Sequence, residues 1–518
     1  MNKFLTFIKN SPALLGIVAV AIALRLYNLT AISLWHDEAF SALLIKYSWG
    51  EMIHRIGLDV HPPMYYIFLR VWHYVFGNSL FSLRALSVFF GIGIIIATYF
   101  LIKEIFNNKH AALIAALLAA VNPFQVQYVT EARMYTMGAF FLVLGALALV
   151  KALRKQKHYY ESDSHKRYRK SFVWYYLLFV LCSAVMILTH YYLLFSVAAL
   201  GIFGLWYHLR HYKMGIKKYG WIILSGVLIG VSFLPWLKVF LFQFKQVGAG
   251  YWIPPMDRWS IPRTLWELII RIAEPSHILM AALSLLTLWM FIRVIRKYGE
   301  PERWLVLSVF IAPFLGAIMF NLLSLLKGET SSVYLVRYFI FGSTFYLMLI
   351  ALFIQSIQMK KLRYALVAFI AVLNLFSIYY YWDQIDVSTK PGMAAAANFM
   401  NANVEPTHKI YVGSSFQFFN YKYYNKTQVT PLLFSGGQTD ISSMPHYAGT
   451  AILTNEDLVP DFAKATVKGD TVWVLWTNGF GGTKPSVPAN WTEIDEKGFA
   501  EVRPYVGTWV IVTEYKVN

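Results

Sequence analysis

The sequence predicts a polytopic α-helical membrane protein of about 11 transmembrane helices, followed by a small C-terminal α/β domain. Three observations predict it. Hydrophobic residues make up 58% of the 518-residue chain and charged residues only 14%, against about 25% charged in a soluble domain. Runs of about 20 apolar residues recur, each long enough to cross a bilayer as a helix. Near Asp383 these runs stop, and Gly, Pro, Asn and Thr rise.

The eleven apolar runs have cores at 11–28, 83–102, 110–122, 136–152, 173–189, 191–208, 219–240, 277–294, 304–323, 338–357 and 364–382. The third is short. The first follows Lys3 and Lys9 and has small residues near its end, a pattern shared with secretory leaders. It is read as an uncleaved helix, because the best motif of the chain comes directly after it. Orientation follows from loop Lys and Arg. With a cytoplasmic N-terminus, the inner segments hold 23 of these bases and the outer segments 10. An odd number of spans then places the C-terminal domain outside the cytoplasm.

The formal net charge of +19 has the same origin. Residues 1–382 hold 36 Lys and Arg against 14 Asp and Glu, a net +22, whereas residues 383–518 hold 10 against 13, a net −3. The surplus sits mainly in inner loops, where it sets topology and meets anionic lipid. It is not a nucleic-acid signal. The single cysteine, Cys182, falls inside a span and forms no intrachain disulfide. The reading is thus a transmembrane domain over 1–382 and an extracytoplasmic α/β domain over 383–518. In the latter, a helical pattern at 392–402 leads to a strand at 409–413, and further strand-like runs lie at 449–453, 471–477 and 505–515. The basic stretch 151–172 reads as a solvated cytoplasmic loop.

The outer loops carry the chemistry. The first, roughly 29–82, contains Trp35-His36-Asp37-Glu38 and then Asp59-Val60-His61-Pro62-Pro63. Its apolar residues are spaced for short helices lying in the interface plane. Adjacent carboxylates on a helix point about 100° apart, so Asp37 and Glu38 would not share a proton. One would face a cavity and the other a structural partner. Both also suit an ordinary helix N-terminus, where the dipole favours acids. The second outer loop offers Tyr128, Glu131, Arg133 and Tyr135. Arginine presents a bidentate fork to phosphate, and Glu131 could orient Arg133 or simply pair with it. His190-Tyr191 stands at a tight turn between two spans. Arg337-Tyr338 opens the tenth span, where Arg337 either meets a ligand or snorkels. Trp252, Trp259 and Trp266 read first as interface anchors, and could also stack on sugar rings.

Taken together, these residues resemble a known family. Trp35-His36-Asp37-Glu38 followed by Asp59-Val60-His61-Pro62-Pro63 is similar to the first extracytoplasmic loop of protein O-mannosyltransferases and bacterial aminoarabinose transferases. Tyr128-x-x-Glu131-Ala132-Arg133-Met134-Tyr135, Thr189-His190-Tyr191 and Arg337-Tyr338 are similar to motifs of the bacterial branch. The resemblance covers residues 1–382. It implies the C-type glycosyltransferase fold, a sugar donor joined to a polyprenyl phosphate, and transfer to an extracytoplasmic acceptor (protein, glycolipid or polysaccharide). The carried-over catalytic carboxylate is Asp37, with Glu38 beside it. Arg133 and Arg337 are the candidates for the phosphate, and Asp59, His61, Glu131, Tyr135, His190, Tyr191 and Tyr338 would shape the site. His61 stands where the aminoarabinose transferases have Lys, which departs from that narrower substrate.

Carboxylate and imidazole are adequate ligands for a divalent ion, but the spacing does not demand one and no metal or other cofactor is assigned. No nucleotide-binding glycine loop is evident, which fits a lipid-linked donor. Two rival classes stay open: a lipid-linked-sugar transporter or flippase, and a membrane-anchored binding protein. Transport predicts charged or Gly/Pro-broken spans near the midplane, whereas Arg25 and Lys238 lie near span ends.

Overall fold

Long apolar runs without Asp or Glu can satisfy their backbone groups in a bilayer only as helices, and helices they are. The computed structural model describes residues 11–161, 165–211, 216–248, 252–272, 275–299, 302–328, 332–479, 482–501 and 507–518. Lys3 and Lys9 lie outside the described residues. In chain order the helices are α1 (Pro12–Leu26), α2 (His36–Leu44), α3 (Trp49–Leu58), α4 (Met64–Phe76), α5 (Leu80–Phe106), α6 (Lys109–Val121), α7 (Pro123–Val129), α8 (Tyr135–Glu161), α9 (His165–Ile187), α10 (Leu193–His211), α11 (Ile216–Gly248), α12 (Ser260–Glu267), α13 (His277–Lys297), α14 (Glu302–Leu326), α15 (Ile340–Ser356) and α16 (Lys360–Gln384). Then follow α17 (Gly392–Asn403), β1 (Lys409–Val412), α18 (Ser415–Tyr424), β2 (Leu432–Phe434), β3 (Leu458–Val459), α19 (Phe462–Ala465), β4 (Thr471–Thr477), β5 (Trp491–Glu501) and β6 (Thr508–Val517).

Among the described residues nine helices are long and apolar enough to cross a membrane, or ten if α6 and α7 form one broken span. The expected polytopic α-helical fold is borne out, with nine or ten membrane-length helices among the described residues against about eleven expected. All eleven runs are helical, but α1 has 15 residues, roughly 22 Å at 1.5 Å per residue, short of a hydrocarbon core of about 30 Å. The α6–α7 pair bends by 56°. The cause is local. Pro123 pushes Asn122 into extended backbone (φ −72°, ψ 124°), and Asn122 then caps α7, its Oδ1 accepting from the Gln125 N–H at 3.0 Å. The buried Arg25 guanidinium donates to the carbonyls of Ala119 and Ala120 at 3.0 and 2.8 Å, satisfying the end of α6.

The chain divides into two compact units. One comprises Met1–Tyr27, Val60–Tyr65 and Arg84–Tyr381; the other comprises Asn28–Asp59, Tyr66–Leu83 and Trp382–Asn518. In the first unit α8 and α9 form the most extensive helix pair, α10 packs on α14, and α14 on α15. Nearly every residue of α15 is buried. Gln125 Nε2, from the short helix α7, donates to Ser343 Oγ and Thr344 Oγ1 of α15 at 2.6 and 3.2 Å.

The second unit is built on a six-stranded sheet of order β3-β2-β1-β4-β6-β5. The first four strands pair in parallel and β4-β6-β5 antiparallel. Tyr411, Val472, Val474, Trp491 and Tyr515 supply its core. The strand expected at 449–453 is a turn: Gly449 takes φ +86°, and its carbonyl accepts from the Ile452 and Leu453 N–H groups. The expected strands at 409–413, 471–477 and 505–515 correspond to β1, β4 and β6. The same unit holds α2 and α3. His36 and Phe40 pack on Phe419 of α18, and the Leu34 N–H donates to Tyr424 Oη at 2.9 Å.

Candidate functional site

A turn between two apolar helices places polar groups at the end of a bundle. Here the turn after α9 runs through Thr189, His190, Tyr191 and Tyr192. Thr189 Oγ1 returns to the Val185 carbonyl at 2.6 Å, and the His190 N–H to that of Met186 at 3.2 Å. The Met64 N–H donates to the Leu188 carbonyl at 2.8 Å, so the segment carrying His61 is tied to this turn. The His61 and His190 rings then lie 5.8 Å apart.

His190 is the hub of the first unit's site. It is 5% exposed. Tyr338 stands 4.7 Å from its ring, Phe341 5.2 Å and Tyr135 6.1 Å. Its Nδ1 accepts from the Tyr192 backbone N–H at 3.2 Å. Burial pushes the imidazole well below its ordinary range, and His61, Arg133 and Arg337 push it the same way. The ring is therefore neutral, and with Nδ1 an acceptor its proton sits on Nε2. Two of those neighbours, Arg133 and Arg337, are the phosphate candidates of the sequence, and the fold gathers His61, Arg133, Tyr135, His190, Arg337 and Tyr338 around His190.

Glu131 and Arg133 are both buried in the turn after α7. The Arg133 N–H donates to the Glu131 carbonyl at 2.8 Å, and Ser87 Oγ clamps the same carbonyl at 2.7 Å. Tyr191 points elsewhere: its hydroxyl donates to Gln243 Oε1 of α11 and accepts from Trp236 Nε1 at 3.0 Å.

Beside this cluster runs an apolar cavity of about 160 Å³. Phe195, Phe240, Phe244 and Phe320 line it, with His61, His190, Tyr191 and Gln243 among its polar lining. Gly316 makes room for it. A Cβ there would stand 2.3 Å from Phe195 Cδ2. Among the described residues no group of three or more His, Cys, Asp or Glu is placed to hold a metal ion.

Asp37, Glu38 and Asp59 belong to the second unit. Asp37 and Glu38 occupy the first turn of α2. Glu38 is fully buried, and its Oε2 accepts from the Trp35 N–H at 3.4 Å, the reciprocal half of a helix cap. Asp37 is half-buried, and its carbonyl accepts from Ser41 Oγ at 2.8 Å. Glu38 thus supports the helix end. Asp59 terminates α3 in extended backbone.

Three polar residues escaped the sequence reading. Gln243 interrupts the apolar run Phe240-Leu241-Phe242-Gln243-Phe244, and an amide inside such a run was the available signal. Arg271 pairs with Glu267 at 3.1 Å and lies 5.8 Å over the Phe124 ring. With Glu131 and Arg337 these two charges act on Tyr128. Nothing local marks them, since Arg271 follows a short amphipathic helix like any surface arginine. Of the loop tryptophans, Trp259 stacks on His277 at 4.4 Å, and Trp252 is exposed.

The sequence matches the family described as dolichyl-phosphate-mannose-protein mannosyltransferase over residues 60–237. No curated protein matches it. Among solved structures it is similar to ArnT from Cupriavidus metallidurans bound to undecaprenyl phosphate, at 12% identity and a TM-score of 0.59, covering 96% of this chain and 97% of that one. This chain has the C-type glycosyltransferase fold. It is also similar to the oligosaccharyltransferase of Archaeoglobus fulgidus tethered with an acceptor peptide, at 12% identity and a TM-score of 0.50, covering 90% of this chain and 69% of that one. The protein is an integral multi-pass membrane protein.

Proposed function

We propose that the protein is a membrane glycosyltransferase that moves a sugar from a polyprenyl-phosphate-linked donor to a hydroxyl of an extracytoplasmic acceptor. The observation that carries this reading is the apolar cavity lined in part by His61 and His190, with Arg133 and Arg337 acting on His190. An isoprenoid chain suits the phenylalanine-lined body. A phosphate suits the arginines that act on His190, which offer charge-assisted bonds.

In the proposed reaction Asp37 takes the proton of the acceptor hydroxyl. The hydroxyl oxygen forms a bond to the anomeric carbon as the bond from that carbon to the phosphate oxygen breaks. The bonding pair leaves with the polyprenyl phosphate, and direct displacement inverts the anomeric centre. Arg133 and Arg337 stabilise charge growing on the leaving phosphate. Glu38 holds the N-terminus of α2 and with it the position of Asp37. Asp59, Glu131, Tyr135, Tyr191 and Tyr338 support the site. The base bias of the loops supports an extracytoplasmic location for this chemistry and for residues 383–518.

The test is to incubate the purified full chain with a panel of polyprenyl-phosphate sugars and candidate acceptors. Release of polyprenyl phosphate matched to glycosylated acceptor is the expected result. A protein that binds polyprenyl phosphate yet consumes no donor would overturn the transferase reading.

A further inference from the structure

The His190 ring presents two edges with different histories. Nδ1 is committed within the turn, accepting from the Tyr192 N–H at 3.2 Å. Nε2 is buried and has no hydrogen-bond partner among the described residues, although the ring lines the apolar cavity. A buried donor left without a partner is destabilising. Such a group is retained where something from outside the protein completes it.

The surroundings select what that is. A neutral imidazole with Nδ1 accepting is a donor at Nε2 and cannot accept there. The partner must therefore bring an acceptor oxygen. Arg133, Arg337 and His61 all act on this ring, so an oxygen bearing negative charge is favoured over a neutral one. The cavity beyond is apolar, which favours an anion attached to a hydrocarbon chain.

We propose that His190 is a recognition residue for the donor lipid, giving its Nε2–H to a phosphate oxygen of a polyprenyl phosphate seated in this cavity. This rests on the reading of the cavity as the donor site. His190 contributes no charge. It fixes the place of one phosphate oxygen while the arginines supply the attraction. The Tyr192 contact holds the ring in the tautomer that can do this, so Tyr192 serves through its backbone.

Two substitutions separate this role from a purely structural one. Asparagine places an acceptor near the position of Nδ1, so His190→Asn keeps the contact with Tyr192 and loses the reach into the cavity. Glutamine places an amide N–H near the position of Nε2, so His190→Gln keeps the reach and disturbs the turn. Affinity for undecaprenyl phosphate and for uncharged undecaprenol is measured on the full-length proteins in detergent, with thermal stability beside it.

His190→Asn is expected to melt close to wild type and to bind undecaprenyl phosphate about 10- to 100-fold more weakly, with undecaprenol binding unchanged. His190→Gln is expected to melt lower and to keep affinity within about threefold of wild type. The reverse order, with tight binding by His190→Asn and weak binding by His190→Gln, would overturn the proposal. If His190→Asn does not fold, His190→Gln decides alone: retained affinity supports the role, and a loss of about tenfold or more contradicts it. A wild-type protein with no preference for the phosphate over undecaprenol would instead remove the donor-site reading itself.

Discussion

Gln125 Nε2 donates to Ser343 Oγ at 2.6 Å, joining the short helix after the Asn122–Pro123 break to the helix that follows Arg337 and Tyr338. Both groups are buried. The two chain segments that carry Arg133 and Arg337 are therefore fastened to each other by an amide–hydroxyl contact inside an apolar bundle. In such surroundings a satisfied polar pair specifies one register, and a broken one is costly.

Gln125→Leu keeps the volume and removes the donor to both Ser343 and Thr344. It is expected to lower stability by about 1–3 kcal/mol and to weaken undecaprenyl phosphate binding, because the arginine-bearing segments lose their common anchor. Thermal unfolding in detergent and lipid-binding titrations check this. Unchanged binding in a destabilised protein would show that the anchor serves stability alone.

Gly316 faces Phe195 across the cavity wall, with no room for a Cβ. Gly316→Val is expected to drive the Phe195 ring into the cavity and to reduce affinity for undecaprenyl phosphate and undecaprenol together. Loss of both marks a blocked hydrocarbon site. Selective loss of the phosphate ligand would contradict the assignment of this cavity to the isoprenoid chain.

Glu501 ends β5 with its carboxyl 4% exposed. Burial pushes its pKa up to about 7, opposed by hydrogen bonds from the Gln417 side chain and the Met393 backbone. The folded state thus holds a proton that the unfolded chain, with a carboxyl near about 4.3, releases earlier. Stability from this group is fully present below about pH 4.3 and declines as pH rises toward about 7. Glu501→Gln is expected to stabilise the protein by about 1–3 kcal/mol at pH 8 and to make little difference at pH 4.5. Paired melts of wild type and variant at the two pH values measure it. Equal destabilisation at both would show that the carboxylate is needed as an anion.

The spans were legible because a 20-residue apolar run has one solution in a bilayer, and the eleven runs all became helices. Their exact lengths were less so. Pro12–Leu26, apolar but for Arg25, has only 15 residues, and the short run 110–122 is continued after a 56° bend by the helix that begins at Pro123. The strand reading at 449–453 failed because Gly449 adopts a positive φ and turns the chain, although Ala451, Ile452 and Leu453 are buried as strand residues would be. The grouping of 28–59 with 382–518 was not legible. It rests on contacts such as His36 with Phe416 and Phe419, between residues nearly 400 positions apart, which no local pattern encodes. At the site, His61, Arg133, Tyr135, His190, Arg337 and Tyr338 could be named from motifs. That they meet at His190 could not, since it depends on how four turns pack. Gln243 was passed over as a single amide in an apolar run, and it proved to be a fastening point.

The most direct measurement is single-turnover sugar transfer by Asp37→Asn beside wild type, with thermal stability and undecaprenyl phosphate binding on the same preparations. Asparagine keeps the shape of the side chain at the start of α2 but accepts no proton at neutral pH. The expected result is transfer slowed by about 10²- to 10⁴-fold, with melting temperature and lipid binding close to wild type. Transfer at near wild-type rate by a well-folded Asp37→Asn protein would contradict the account and remove Asp37 from the reaction.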